Sequence, residues 1–511
     1  MLEYTGHPFV DVGLATMTAF VDKKHPKDLT EEDFEEIAQY IERNYPEPPL
    51  RGHLTMAFTS NAWFIQDAYN PNKPDLSPEK RAERQATRQR WADAHIRQWR
   101  LPLDPSQTCV FTGLPAASGS LSGSLQAGRA ARAQVPLLQG DESINFFVNG
   151  DPGLPISPQA LLALQFFPLG CAKSGVGLLA VHGSSDDVTY RFTKKFLSEN
   201  RQNILFAQQE GSDKLSSASR TLKTLLIETL LDIEQQRRRE EYRVKQSVSI
   251  TAYNYNNGKS PELVLYHIPL QVTNFLLLAN SAEYKKIWHT IVHAAWEKAP
   301  VTKKAKIPVT DFSPRTNFLY EDLFKLPDNA SQFIRRYFLR QSYKVNNTSD
   351  PRSDYSLQRD LQLVSWDIVE LFLQEVVNMS SERIELIRQL ADQLADFTRQ
   401  QGGKRFFRDF YRIKHTNAFL DLLIKTKLQY AKSQQNDKAL VFDFDSVIEL
   451  FLVDEDTLRF DWLLIRDLVL IRMIDQLKDW LAKNPDALPE AEPQEESNAE
   501  TVTANEQYPL N

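Results

Sequence analysis

Ser247-Val248-Ser249-Ile250-Thr251-Ala252-Tyr253-Asn254-Tyr255 and Glu262-Leu263-Val264-Leu265-Tyr266-His267-Ile268 are two β-favouring runs on either side of Asn256-Asn257-Gly258. An Asn-Gly step tolerates the positive φ angles of a tight turn, so the pair predicts an antiparallel β-hairpin. Beyond it the pattern changes. From about Leu357 to Leu481 apolar residues recur with helical period, no hairpin signal remains, and about five helices are expected. The chain therefore reads as α+β. A mixed α/β body covers 1–355, an all-α helical bundle covers 356–483, and an acidic, Pro-containing tail expected to be disordered covers 484–511.

Upstream of the hairpin, the segment 217–241 spaces Leu222, Leu225, Leu226, Thr229, Leu230 and Ile233 along one helical face. Residues 112–153 are rich in Gly, Ser and Pro and read as a loop region on the surface, holding one strand candidate, Ile144–Val148. Ser77-Pro78 opens a long charged helix reaching about Arg100, with the proline where its missing N–H costs nothing. Leu54–Phe58 reads as a strand. Thr30 caps a helix whose first turn is acidic (Glu31, Glu32, Asp33) and whose buried stripe is Phe34, Ile37, Ala38 and Ile41.

With 511 residues, 42% hydrophobic and 25% charged, the chain can bury more than one sizeable core. No run approaches the ~18 apolar residues of a membrane span, and Met1-Leu2-Glu3-Tyr4 lacks signal-peptide character. No membrane partner is expected. Two cysteines exclude a disulfide framework and suit a reducing, cytoplasmic location. The net charge of −7 is unevenly placed: Asp486, Glu490, Glu492, Glu495, Glu496, Glu500 and Glu506 account for the whole excess of 67 acidic over 60 basic residues. The remainder is formally neutral, and phosphate binding depends on where its basic residues cluster.

The motifs that suggest chemistry fail on context. Cys109-Val110-Phe111-Thr112-Gly113 and Cys171-Ala172-Lys173-Ser174-Gly175 share a C-x-x-[T/S]-G frame. Tetrahedral zinc takes four thiolate or imidazole ligands, for which the hydroxyls of Thr112 and Ser174 are poor substitutes. The frames read either as a degenerate zinc knuckle or as two turns with buried cysteines, and no metal or cofactor is expected. Val441-Phe442-Asp443-Phe444-Asp445-Ser446-Val447 carries the D-x-D lettering of haloacid dehalogenase phosphatases, in which Asp443 would be the nucleophile and Asp445 the general acid. That chemistry belongs to a strand end in a doubly wound domain, whereas helical and then acidic sequence follows here; a solvated acidic face is expected instead. Gly175-Val176-Gly177 is followed by a strand-like run, not the helix a dinucleotide site needs. His289 and His293, beside Trp288 and Trp296, lack the glutamate of a zinc-protease motif and read as core or partner-facing. No enzyme is expected.

The basic stripes are more informative. Between Thr398 and Lys432 lie Arg399, Lys404, Arg405, Arg408, Arg412, Lys414, Lys425, Lys427 and Lys432, opposed only by Asp409 and Asp421. On a helix Lys404, Arg405, Arg408 and Arg412 share one side with His415, while Phe406, Phe407, Phe410 and Phe419 face a bundle. Such a positive ridge binds a nucleic-acid backbone without reading sequence. A second stripe holds Lys80, Arg81, Arg84, Arg88, Arg90, Arg97 and Arg100; a third holds Arg335, Arg336 and Arg340 with Lys344. Asn61, Gln66, Asn70, Asn72 and Lys73 form a polar loop suited to base edges, as do Arg129, Arg132, Asn145 and Asn149 in the Gly/Ser region.

The order of several short motifs resembles the large subunit of the type I-B CRISPR Cascade complex. They are Tyr4-Thr5-Gly6-His7-Pro8 with Asp11-Val12-Gly13, the run from Val135-Pro136-Leu137-Leu138 to Gly150-Asp151-Pro152-Gly153-Leu154-Pro155, Pro168-Leu169-Gly170-Cys171-Ala172-Lys173, Tyr266-His267-Ile268-Pro269, and Ile334 to Arg340. Thr112 and Ser174 depart from the C-x-x-C pairs common in that family. The resemblance implies a non-catalytic subunit that holds the crRNA 5′ region, recognises a protospacer-adjacent motif in double-stranded target DNA, stabilises the displaced single strand and recruits a separate helicase-nuclease. Its other partners would be the Cascade backbone and 5′-handle subunits and a small subunit. The resemblance also implies that the helical bundle is made separately from an internal start, for which Met379, followed by the helix-capping Ser380 and Ser381, is the candidate. A helical scaffold binding only proteins is the alternative.

Overall fold

The computed structural model describes residues 2–59, 62–66, 70–138, 150–240, 247–257, 261–300, 312–345, 347–433, 444–451 and 461–488. They form two compact units, Met1–Leu270 and Gln271–Asn511.

The first unit contains α1 (Pro8–Phe20), α2 (Glu31–Asn44), α3 (Leu50–Leu54), α4 (Pro78–Ile96), β1 (Leu103–Thr108), β2 (Pro115–Ala117), β3 (Arg129–Ala130), β4 (Leu154–Pro155), α5 (Pro158–Phe166), β5 (Ala172–Ser174), β6 (Gly177–Gly183), α6 (Asp186–Glu210), α7 (Leu222–Glu240), β7 (Ile250–Asn256) and β8 (Glu262–Ile268). β7 and β8 pair antiparallel, Tyr253 opposite Leu265, and extend a four-stranded sheet in the order β5-β6-β7-β8. Gly258 itself lies outside the described residues.

α1 is buried from Phe9 to Ala19, and α5, α6 and β6 pack around it. Fully burying each large apolar side chain is worth about 1.5–3 kcal/mol, so this helix is the unit's centre of stability. Gly13 lets α5 approach, since a Cβ there would lie 2.2 Å from the Ala163 carbonyl oxygen. The opening motif locks the start of the helix. Asp11, almost wholly buried, accepts from Thr5 N (2.7 Å), Thr5 Oγ1 (2.8 Å), Gly6 N (2.9 Å) and His182 Nε2 (3.0 Å). His7 accepts from Val10 N while Pro8 occupies the first helical turn. Burial lowers the His7 pKa, which suits its role as acceptor.

Local signals that needed no distant partner are found where the sequence places them. Thr30 and Asp33 form a reciprocal capping box, with Phe34, Ile37, Ala38 and Ile41 buried. Ser77 caps α4 with Pro78 at its first position. Two expectations fail. Leu54–Phe58 is not a strand: Leu54 ends α3, and turns follow in which Ala57 N and Phe58 N both donate to the Leu54 carbonyl. Leu54, Met56, Ala57 and Phe58 are all buried, so the run lacks strand alternation, and a short apolar run cannot distinguish the two states by period. Nor is the Gly/Ser region a surface loop over its described part. Ala116, Ala117, Leu121, Leu125, Ala130, Ala131 and Val135 are buried, and Gln134 satisfies Leu121 O and His95 inside. Ile144–Val148 lies outside the described residues.

The second unit holds α8 (Leu270–Ala279), α9 (Lys285–His293), α10 (Phe318–Leu323), α11 (Ala330–Phe333), a π-helical turn Ile334–Phe338, α12 (Leu357–Asp360), α13 (Trp366–Glu375), α14 (Ser381–Phe397), α15 (Gly403–Arg412), α16 (Thr416–Ser433), α17 (Phe444–Phe451) and α18 (Trp462–Lys483). The shift read near residue 355 falls inside this unit, because Phe372 of α13 packs on Phe275 (ring centroids 5.2 Å), Phe333 (5.2 Å, stacked) and Phe338 (5.4 Å). Seven helices, α12 to α18, stand among the described residues beyond Leu357 where periodicity suggests about five; the four residues of α12 hold barely a full period. α14 and α18 pack together and are tied by Arg472–Asp392 (2.7 Å) and by Arg383–Asp461 (2.7 Å), which joins the starts of both. The segment read as beginning a tail at Asn484 continues in a short 3-10 turn, Pro485–Ala487, with Ala487 and Leu488 buried. No helix among the described residues is long and apolar enough to cross a membrane.

Candidate nucleic-acid interface

α15 is set off from α14 by a π-helical turn, Thr398–Gly402, and by Gly403 at φ +55°. This break re-aims the chain so that Phe406, Phe407 and Phe410 turn inward. Phe406 packs on Phe397 (5.0 Å), Phe410 on Phe419 (5.9 Å), and Phe419 on Phe451 (4.7 Å) and Trp462 (5.6 Å). The opposite side carries the cations. Arg405 is 92% exposed and 3.8 Å from Asp409, too solvated a pair to neutralise it. Arg408, Arg412, Lys414 and His415 are exposed, and Lys425 is exposed on α16, with Lys427 half-buried. Lys404 meets Asp486 at 2.7 Å. Arg399, at the preceding turn, donates to Asp396 and to the Gln476 carbonyl. Beneath the ridge Arg466 donates to Tyr411 O (2.9 Å), and burial pushes the Tyr411 hydroxyl up to about 12. The expected ridge on a packed aromatic support is thus present.

The third stripe is different. Arg336 and Arg340 are buried, 3% and 2% exposed, and Arg335 is largely covered. Arg335 pairs with Asp467, Arg336 with Asp322 (3.0 Å), and Arg340 with Asp360 (2.9 Å). The Arg340 guanidinium also lies 3.4 Å from the Tyr355 ring centroid. These three cations are interior ties and not phosphate contacts, because a charge withdrawn from water must be matched where it sits. Lys344 is exposed.

The second stripe divides. Near its end, Arg97 is buried among Glu35 (3.3 Å), Glu42 (2.7 Å) and Asp93 (2.9 Å), and Arg100 reaches Glu35 (2.6 Å). Towards its start the sequence-predicted loop and helix do come together. Arg84 Nη1 donates to Asn70 O (3.1 Å), Arg88 Nη2 to Asn70 Oδ1 (3.3 Å), and Asn72 Nδ2 to Glu47 Oε1 (2.9 Å). Exposed Arg81 lines a shallow pocket of about 500 Å³ with Pro71, Asn72, Leu76, Pro78, Ala82 and Gln85. Gln66 and Lys73 are half-buried near this loop in sequence, and Asn61 lies outside the described residues.

Arg129 is not available for bases. It is buried and donates to the carbonyls of Pro152 (2.9 Å) and Gly153 (2.8 Å), latching β3 to the approach to β4. Arg132 is half-buried; Asn145 and Asn149 lie outside the described residues. Both cysteines are free and buried. Thr112 hydrogen-bonds Ser157 (3.0 Å) and Ser174 donates to Asn254 (2.6 Å), so the hydroxyls standing where thiols would complete the frames are used inside the fold. No group of three or more metal-ligating side chains occurs among the described residues. Asp443 lies outside the described residues, and Asp445 is the second residue of α17, so the D-x-D stretch runs into a helix. His289 and His293 are exposed and not core residues; His289 Nε2 lies 3.0 Å from Asn280 Oδ1.

Sequence reasoning missed Asp322, Asp360 and Asp467 as partners of the third stripe, and Asp486 as the partner of Lys404. No local pattern announces pairs so distant in the chain. Comparison with protein-family models finds no match, and comparison with curated proteins finds none either.

Proposed function

We propose that this chain is a non-catalytic nucleic-acid-binding subunit of an RNA-guided surveillance complex, of the kind exemplified by the large subunit of type I-B Cascade. The observation that carries the nucleic-acid reading is the outward file of Arg405, Arg408 and Arg412 on a helix whose other side is packed phenylalanine, continued by exposed Lys414 just past its end. Exposed guanidinium groups at this spacing track a phosphate backbone, which suits a displaced strand held without regard to sequence. The loop of Asn70 and Asn72 beside Arg81, Arg84 and Arg88 supports a second contact, to the adjacent-motif duplex, where polar side chains read base edges and guanidinium groups hold the backbone. crRNA, the backbone and 5′-handle subunits, a small subunit and a helicase-nuclease are the partners this reading requires. Ser380 accepts from Arg383 N directly after Met379, so a separately made small subunit would begin on a capped helix. That product would run at roughly 15 kDa and vanish on Met379→Leu.

The test replaces Arg405, Arg408 and Arg412 by Gln in the intact chain and follows single-stranded DNA binding by anisotropy across a salt series. Affinity should fall, and the slope of log K against log salt should become shallower by about 2. Unchanged affinity and slope would sink the nucleic-acid reading. Co-expression with neighbouring genes should yield a complex containing a guide RNA, and its absence would sink the surveillance assignment. A protein-binding scaffold has one observation in its favour: Ile424 and Leu428, 45% and 56% exposed, lie one turn apart on α16. Serine at both positions should weaken assembly without moving the salt slope if that face binds protein.

A further inference from the structure

The last described residues lead directly to the ridge. The turn Pro485–Ala487 packs on α15, and Asp486 holds Lys404 through both carboxylate oxygens, at 2.7 and 3.0 Å. The Lys404 ammonium holds the Asp486 carboxyl below its usual range, and Arg408 contributes in the same direction. One acidic side chain from this end of the chain therefore already occupies the first position of the cationic file. The sequence that follows Leu488 contains Glu490, Glu492, Glu495, Glu496, Glu500 and Glu506 and no Lys or Arg.

We propose that this glutamate-rich segment docks along the outer face of α15 and competes there with nucleic-acid phosphates, acting as a phosphate mimic within the same chain. The proposal rests on reading the ridge as a phosphate-binding surface. Length permits it. The ten residues of α15 span about 15 Å, and the eight residues that follow Leu488, as far as Glu496, reach up to about 28 Å when extended. Charge favours it, because Arg408 already helps to hold the Asp486 carboxyl down, and Arg405, Arg412 and Lys414 stand exposed further along α15 and just past its end. Tethering raises the local concentration of the glutamates to the millimolar range, so weak individual contacts suffice. A nucleic acid offering many phosphates displaces the segment, whereas short or non-cognate strands compete poorly. The segment thereby acts as a filter against indiscriminate binding.

Two measurements on the intact chain test this. Zero-length carbodiimide coupling at low ionic strength, read by mass spectrometry, should join Glu490, Glu492, Glu495 or Glu496 to Lys404 or Lys414, and salt should suppress the products. Changing all six glutamates to Gln leaves chain length and the folded helices untouched. That variant should bind a ~20-nucleotide oligothymidylate on the order of tenfold more tightly at about 50 mM salt, with the two chains converging as salt rises. Crosslinks with equal affinities overturn the competition. Equal, measurable affinities with no crosslinks overturn the docking and leave the ridge reading standing. If neither chain binds the oligonucleotide, the ridge reading itself fails and the mimicry with it.

Discussion

Arg336 and Arg352 converge on a single oxygen of Asp322, at 3.0 and 2.8 Å, in the interior of the second unit. Tyr337 donates its hydroxyl to the same oxygen at 2.8 Å. Burial alone would push the Asp322 carboxyl up, but Arg352 and then Arg336 outweigh it and hold the group below its usual range. Asp322→Asn leaves two poorly solvated guanidinium groups facing a neutral amide. The expected cost is about 3–5 kcal/mol of stability, the magnitude typical of breaking a buried ion pair from one side. Urea unfolding of the variant checks it; a loss below about 1 kcal/mol would show that water or a neighbour replaces the carboxylate.

His53 is fully enclosed in the first unit, with Nε2 3.3 Å from the Pro168 carbonyl, and burial lowers its pKa to about 4. Burial lowers the pKa of His95 too. The sign follows from proton linkage. The unfolded chain takes up a proton near pH 6.5 and the folded chain only near pH 4, so stability is full above about pH 6.5 and declines as pH falls through that window. For His53 alone the loss approaches roughly 3 kcal/mol at the acid end. His53→Gln should flatten the decline in unfolding free energy between pH 7 and about pH 4.5. Parallel pH profiles for the two proteins would refute the assignment.

Gly403 has φ +55° and ψ −158°, close to a backbone region that glycine almost alone occupies. A Cβ added there meets no atom within 4 Å, so any penalty for Gly403→Ala is backbone strain and not collision. The expected cost is about 1–3 kcal/mol. Because this residue aims α15, DNA affinity should fall in a sample that is still folded by circular dichroism. A variant as stable and as tight-binding as the parent would show that the ridge does not depend on this break.

What was legible in the sequence is what needs only neighbours. The caps at Thr30, Ser77 and Ser380 and the two-sided character of α15 follow from residues within a turn or two of each other. The hairpin strands follow from their own alternation and turn. What was not legible depends on contacts across the chain. Arg335 and Asp467 are 132 residues apart, and Phe372 finds Phe275 from a separate helix. A buried cation and a surface cation therefore look identical in a one-dimensional stripe, which is why Arg335, Arg336 and Arg340 read as part of a binding surface. Arg129 misled for a related reason: its partners are backbone carbonyls, which every sequence possesses.

That distinction can be turned into a measurement at the first unit's candidate contact. Arg81 is exposed on the pocket beside Asn72, whereas Arg129 is spent on the carbonyls of Pro152 and Gly153. If the loop and α4 hold a duplex, Arg81→Gln should weaken DNA binding across sequences and reduce the salt slope by about 1. Arg129→Gln should leave the slope unchanged and lower the unfolding midpoint, because the buried Gly153 carbonyl and the half-buried carbonyls of Asp151 and Pro152 lose a charged donor. A variant of Arg129 that shifts the salt slope without a stability loss would reverse the assignment, since only a guanidinium facing phosphate releases counterions when it binds.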